Sequence, residues 1–240
     1  MVTAILSALP EEQGGLAAAL QDHATSDCAG RTFHTGTLHG QRVVLALSGV
    51  GKVAAAITAT LLIERFGARQ VVFTGVAGGL GRSVRVGDVV VARHTLQHDM
   101  DASPIFPRWE LPLRGTALLA CDAPLSTLLL RAASAGVAGA NAKIHHGLIV
   151  SGDRFVSTAE ASTLLRQELQ AAGHEPLAVE MEGAAVAQAC TDLGVPCAIL
   201  RTISDRADDS AHVDFSRFVR EVASGYAERI VRALLADLPA

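Results

Sequence analysis

Leu177-Ala-Val-Glu-Met-Glu-Gly-Ala-Ala-Val-Ala-Gln-Ala-Cys190, followed shortly by Pro196-Cys-Ala-Ile-Leu-Arg-Thr-Ile-Ser-Asp205, is the stretch that decides the fold. Each segment contains a short apolar run without polar alternation, as expected of a strand covered on both faces, and the Ala-rich stretch between them has helical composition. The reading is strand, helix, strand, with carboxylates at both strand ends. In open α/β sheets ligands sit outside the carboxyl ends of the strands, and Glu180, Glu182 and Asp205 fall there. Taken singly, Glu182 is explained by favourable charge in the first turn of the following helix, and Asp205 by an N-cap. Three acids converging at buried strand ends lose solvation and repel one another, a cost that a polyhydroxy or basic ligand would offset.

The 240 residues carry no Pro/Ser-rich linker or charge run, so one α/β domain spanning 1–240 is expected. Half of the residues are hydrophobic and only 4% aromatic, a composition suited to a buried sheet between Ala-rich helices. No apolar run approaches the roughly 18 residues that a helix needs to span a bilayer. The first apolar run has no basic flank and meets Pro10-Glu11-Glu12 at once, so it reads as a buried strand rather than a signal peptide, and a cytoplasmic location is expected. A net charge of −4 with scattered Lys and Arg argues against nucleic acid as a partner. Cys28, Cys121, Cys190 and Cys197 form no CxxC pair and read as reduced core residues. His145-His146 point to opposite faces of a strand, so no metal site is indicated.

From the start, residues 2–9 read as a strand delivering Glu11 and Glu12, with a helix through 16–20. Residues 32–38 and 42–48 flank His39-Gly40-Gln41 as a hairpin. The second arm runs into Gly49-Val-Gly-Lys-Val-Ala54 and a helix over 53–66. That turn fits GxGxxG/A, but the next strand, ending at Gly75, brings no acid for a dinucleotide ribose. It is not a P-loop either, because Ala46 and Val53 stand where Gly and Ser or Thr belong. The glycines allow close approach of a backbone to a ligand, or simply mark the turn. A strand over 71–74 ends in Gly75-Val-Ala-Gly-Gly-Leu80, and another covers 84–92 with a bend at Gly87-Asp88. Residues 98–115 form a Pro-rich loop whose Ile105, Phe106 and Trp109 suit a lid or subunit contact, or a segment packed on its own core. A helix over 125–135 and a strand over 144–151 follow. Ser157-Thr-Ala-Glu160 matches a capping box for a helix over 161–172, and Phe155 before it is either core or a flat surface for a planar ligand. Phe218, Val219, Val222, Tyr226, Ile230 and Leu234 recur at helical spacing as a core face.

Gly49-Val-Gly-Lys52, Thr74-Gly-Val-Ala-Gly-Gly79, Ser151-Gly-Asp153, Val179-Glu-Met-Glu-Gly-Ala184 and Ser204-Asp205, in this order, resemble the 5′-methylthioadenosine/S-adenosylhomocysteine nucleosidases of the purine nucleoside phosphorylase family. The resemblance runs from Ile5 to about Phe218. It implies a three-layer αβα sandwich around a mixed sheet, a homodimer, no cofactor, and hydrolysis of 5′-substituted adenosines. Carried over residue by residue, it implies that Asp205 is the general acid at adenine N7, its proton held by neighbouring acids. It implies that Glu12 activates water and that Glu182 accepts both ribose hydroxyls, with Met181 along the sugar. Phe155 would stack on the purine, the Val156 backbone would read its edge, and Gly78 would approach from below. Arg201 would help keep Glu12 ionised, Ser204 would support Asp205, and Val50 and Phe215 would line the pocket.

Two departures stand out. Val76 replaces an expected Ser or Thr, and the loop at 101–115, which in the family reaches the partner subunit's 5′ pocket, differs strongly. The rivals are phosphorolysis on the same fold, hydrolysis of futalosine or aminodeoxyfutalosine through a changed 5′ pocket, and nucleoside binding without turnover. Phosphorolysis wants an arginine before the glycine-rich strand end, where Phe73-Thr74 stand, and a carboxylate at Glu12 would repel phosphate.

Overall fold

The computed structural model describes residues 1–208, Ala211, Phe218 and 224–239. In chain order these give β1 (Val2–Ser7), α1 (Pro10–Gln13), a single 3-10 turn (Ala17–Ala19), β2 (Gln21–Cys28), β3 (Arg31–Leu38), β4 (Gln41–Leu47), α2 (Lys52–Glu64), β5 (Gln70–Gly79) and β6 (Val89–Gln97). There follow β7 (Leu119–Ala120), α3 (Ala123–Gly136), β8 (Ile144–Ser151), α4 (Ala159–Ala171), β9 (Pro176–Glu180), α5 (Gly183–Asp192), β10 (Cys197–Asp205) and α6 (Ser224–Asp237).

All the strands belong to one mixed sheet, ordered β10-β6-β8-β9-β5-β1-β4-β3-β2, with β7 beside β6 and an additional β10–β5 pairing. Because β10 pairs with both β6 and β5, the strands β5, β10, β6, β8 and β9 close into a ring, from which β1, β4, β3 and β2 extend as an open wing. Alternation along the central strands divides their side chains between two cores. Ala4, Leu6, Phe73 and Ile199 pack toward α2 and α5, while Ile5, Val72 and Leu200 pack toward α3 and α6. Helices on both faces of a mixed sheet make the three-layer αβα sandwich expected from the sequence. Each fully buried leucine, such as Leu62, Leu129 or Leu234, contributes about 1.5–3 kcal/mol relative to exposure.

Several sequence expectations are corrected here. β1 stops at Ser7, because the N–H groups of Ala8 and Leu9 turn to the Glu12 carboxylate and Pro10 opens α1. Residues 16–20 give only the short 3-10 turn. β2 was absent from the sequence reading, since its residues are polar and exposed nearly throughout and it pairs only with β3. β6 starts at Val89 rather than at 84, because Gly81 and Val84, then Arg85 and Asp88, close successive turns before it. α4 is capped by Thr158, whose hydroxyl accepts from Ala161 N, so the capping box shifts off Ser157 and Glu160. In the loop at 98–115, Trp109 is buried with Nε1 donating to His98 O at 2.9 Å, whereas Ile105 and Leu113 are 81% and 92% exposed. Cys121, Cys190 and Cys197 are buried and unbridged, and Cys28 is half-buried. On α6, Ile230 and Leu234 are fully buried and Tyr226 is half-buried, while Val219 and Val222 lie outside the described residues. No described helix is long and apolar enough to cross a membrane.

The most consequential correction concerns β5. Its glycines do not follow the strand; they are its second half, Gly75 to Gly79. There β5 pairs in parallel with β10, Asp205 opposite Gly78, and antiparallel with β9, Val179 opposite Gly78. The sheet is therefore closed where an open one was expected. Asp205 and Glu180 come from strands of opposite direction, brought together because both flank the same glycine-rich segment.

Candidate active site

A cavity of about 580 Å³ opens where β5, β9 and β10 meet, and Glu12, Glu180, Glu182 and Asp205 all line it, with Val50, Gly78, Arg154, Phe155, Val156, Met181 and Ser204 among the other walls. Residues 12, 182 and 205, far apart in sequence, thus share one space. Phe215 lies outside the described residues.

Glu12 sits in the single turn of α1, and three backbone groups fix its carboxylate. Oε2 accepts from Ala8 N and Leu9 N, each at 2.8 Å, and Oε1 accepts from Val76 N at 3.0 Å. Burial pushes its pKa above the ordinary 4.5, outweighing the opposing effects of the Arg201 charge and these three N–H groups. A Cβ at Gly75 would stand 2.8 Å from Glu12 Oε1, so only glycine lets the carboxylate lie against β5.

Glu180 has a structural task that the sequence did not reveal. Arg201 grips its Oε2 through Nε at 3.1 Å and Nη2 at 2.5 Å, the Ser151 hydroxyl donates to Oε1, and Glu182 N and Gly183 N donate to it from the start of α5. Glu180 is the anion at that helix N-terminus. The guanidinium of Arg201 also lies over the Phe73 ring at 4.0 Å, and its residue is 1% exposed. Arg201 does not line the cavity, which corrects its placement among substrate-binding groups. Its charge does favour ionised Glu12, as expected, but burial prevails there and its hydrogen bonds go to Glu180.

With Glu180 at the helix start, Glu182 is released from capping: it makes no side-chain cap bond. Its Oε1 accepts from Gly51 N at 2.8 Å, and it faces the cavity. Gly51 holds φ at +99°, a conformation that side chains disfavour, and its neighbour Lys52 N donates to Asp153 Oδ1 at 2.7 Å. The glycine turn after β4 therefore serves Glu182, and a side-chain carboxylate already occupies the N-terminus of α2. Burial first, then the nearby Glu180 charge, push the Glu182 pKa up to about 8, against the pull of Arg201 and Gly51 N.

Asp205 ends β10 and is 1% exposed. Its Oδ2 accepts from the Ser204 hydroxyl at 2.7 Å and its Oδ1 from Ala207 N at 2.7 Å. A Cβ at Gly78 would come within 3.0 Å of Oδ1, so the backbone of β5 forms the floor beneath this carboxyl. Val76 lines the cavity beside Glu12 and offers only its N–H. Among the described residues no group of side chains could hold a metal ion. The arrangement gathers three carboxyls, of Glu12, Glu182 and Asp205, around one cavity with a flat aromatic ring at Phe155, which suits a nucleoside whose sugar lies amid the acids.

The sequence pattern of the phosphorylase superfamily matches residues 2–236. The 5′-methylthioadenosine/S-adenosylhomocysteine nucleosidase of Mycobacterium tuberculosis is 36% identical over 258 residues, covering 96% of this chain and 95% of its own. The aminodeoxyfutalosine nucleosidase of Helicobacter pylori is 36% identical over 195 residues, 81% of this chain and 80% of its own. The crystal structure of the Neisseria meningitidis 5′-methylthioadenosine/S-adenosylhomocysteine nucleosidase with methylthio-immucillin-A superposes with a TM-score of 0.90 at 36% identity, covering 99% of each chain.

Proposed function

We propose, from the premise that this chain belongs to the phosphorylase superfamily, that it is an N-glycosyl hydrolase: water cleaves 5′-substituted adenosines to adenine and the free 5′-substituted ribose. The observation that carries this reading is the shared cavity of Glu12, Glu182 and Asp205. Asp205, steadied by Ser204, donates a proton or hydrogen bond to adenine N7, so that the base leaves neutral. Glu12, held by three N–H groups, takes a proton from the attacking water across the oxocarbenium-like sugar, an arrangement parallel to glycoside hydrolysis. Glu182 accepts the ribose diol, whose two donors suit two carboxylate oxygens and favour the ionised form of a carboxyl that burial otherwise keeps protonated up to about pH 8. Phe155 stacks on the purine, the Val156 backbone reads its edge, and Met181 packs along the sugar.

Water is favoured over phosphate because Glu12, Glu180, Glu182 and Asp205 line the cavity, Arg201 behind it is held by Glu180, and Arg154, the cation of the lining among the described residues, is exposed. Purified protein incubated with methylthioadenosine, adenosylhomocysteine and 5′-deoxyadenosine, with and without phosphate, is expected to yield free sugar at a rate independent of phosphate. Phosphate-dependent sugar phosphate would overturn the reading in favour of phosphorolysis. We place the enzyme in the cytoplasm, working without a cofactor as a single domain and as a homodimer. The exposed Ile105 and Leu113 support a loop at 101–115 that meets the partner near its pocket.

Glu182 provides a further check. Its carboxyl binds a proton more tightly in the folded protein, about 8 against 4.5 in the unfolded chain. Its contribution to stability is therefore complete below about pH 4.5 and is lost as pH rises through about 8. Thermal melts are expected to show Glu182→Gln gaining on the wild type as pH rises through that window. A difference that does not change with pH would contradict the raised pKa.

A further inference from the structure

Asp99, we propose, is a positioning residue for the nucleoside: from outside the cavity it fixes the spacing between the two loops that hold the sugar and the base. The inference rests on the nucleosidase reading above and adds to it a residue that does not touch the substrate. One loop is the turn after β4, which contributes Val50 to the cavity wall and, through Gly51 N, holds the Glu182 carboxyl assigned to the ribose. The other is the segment after β8, which contributes Arg154, Phe155 and Val156 and is assigned to the purine. Residues 49–51 and 152–156 belong to no strand or helix, so contacts from other parts of the chain must set their separation.

Asp99 lies just beyond the end of β6, and its carboxylate joins both loops. Oδ1 accepts from Lys52 Nζ at 2.5 Å and Oδ2 from Asp153 N at 2.8 Å. Lys52 N in turn donates to Asp153 Oδ1 at 2.7 Å, which closes a cycle through residues 52, 99 and 153. The cycle is anchored to the sheet. Lys52 Nζ also donates to Gln97 Oε1 on β6 at 3.1 Å, and His98 N donates to Ser151 O, the last residue of β8, at 2.9 Å. The His98 ring lies so close to Gly152 that a Cβ there would stand 2.4 Å from Nε2, which fixes where the purine segment leaves the sheet. Burial works against ionisation of Asp99, but the Lys52 ammonium and Asp153 N prevail and hold its pKa below the ordinary 3.8, so the bridge is charged at neutral pH.

The acid and the base are fixed by other segments, Glu12 by Ala8, Leu9 and Val76, and Asp205 by Ser204 and Ala207. The cycle therefore bears on how the nucleoside is held, not on proton transfer. A nucleoside has one spacing between base and sugar, and loops preset to that spacing bind it without first having to be ordered. Adenine alone engages one loop and gains little from the preset distance.

The test measures kcat and KM for methylthioadenosine, and calorimetric binding of adenine, in Asp99→Asn, Lys52→Met and the double variant. Asp99→Asn keeps an oxygen for Asp153 N and loses the charge that Lys52 meets. KM is expected to rise about 5- to 20-fold, in the range of a charge-assisted bond between side chains that are 32% and 16% exposed. The accompanying change in kcat stays within about 3-fold, as for a loss of uniform binding, and adenine affinity within about 2-fold. Lys52→Met breaks the same bridge from its other end and carries the test if Asp99→Asn does not fold. The double variant is expected to be no worse than the more affected single one, because both remove one interaction, and Lys52→Arg keeps most of the wild-type KM. An unmoved KM overturns the proposal, as do additive effects of the two substitutions, or adenine binding weakened as much as the nucleoside. Wild-type protein that hydrolyses no 5′-substituted adenosine overturns the nucleosidase reading and this role with it, whereas variants that break the pattern in an active enzyme overturn the role alone.

Discussion

Asp205→Asn is expected to lower kcat by about 10²- to 10⁴-fold, the usual worth of a positioned general acid, in a protein that stays folded and still binds nucleoside. The substitution is isosteric, and the Asn oxygen can still accept from Ala207 N as Oδ1 does at 2.7 Å. The Ser204 hydroxyl, which now donates to Oδ2, can rotate to accept from the amide instead. What the amide cannot do is release a proton toward N7, so the adenine must depart as an anion. Single-turnover rates beside calorimetric binding of a substrate analogue separate the two effects. Turnover near the wild-type rate would remove Asp205 from the acid's role. Unmeasurable binding would instead assign it to recognition.

Glu12→Gln is expected to cost a similar factor, about 10²- to 10⁴-fold, with a thermodynamic penalty that Asp205→Asn does not carry. The carboxylate accepts three N–H groups through its two oxygens. A carboxamide has one oxygen, and with that oxygen turned to Ala8 N and Leu9 N its NH₂ confronts Val76 N. A buried donor left unsatisfied costs about 1–3 kcal/mol, partly offset because the buried charge has been removed. The assay therefore belongs well below the variant's Tm. The same carboxylate governs the acid limb of the wild-type profile: with its pKa raised by burial, kcat/KM is expected to fall, as pH is lowered, at a pH above the ordinary carboxylate range. Full activity persisting well below that range would exclude Glu12 as the base.

The sequence made the acids visible because strands covered on both faces read as unbroken apolar runs, so polar residues at their ends stand out: Glu180, Glu182 and Asp205 were found this way. It also located the hairpin of β3 and β4, whose His39-Gly40 turn and apolar arms are local features. It did not reveal β2, which has no apolar face to betray it. It could not distribute roles among the acids either, since that depends on contacts between distant segments. Arg201 and the first turn of α5 claim Glu180, and only thereby is Glu182 left for the cavity. Gly75 and Gly78 read as a glycine-rich strand end whose backbone approaches a ligand, but that their lack of a side chain lets Glu12 and Asp205 approach β5 depends on segments distant in sequence. For Trp109 the sequence left a lid, a subunit contact and packing on the chain's own core all open, because burial of a loop against the body of the chain leaves no periodic trace.

The closed ring of β5, β10, β6, β8 and β9 gives the two ends of the cavity different mobilities. β5 pairs with β10 over most of its length, with β1 at its start and with β9 at its end, so exchange of its amide protons is expected to require separation of paired strands, whereas the turn at Gly49–Gly51 and the segment at 152–156 can open without it. Solvent and ligands thus gain entry by fluctuations of the rim, while the floor under the reacting bond keeps its shape.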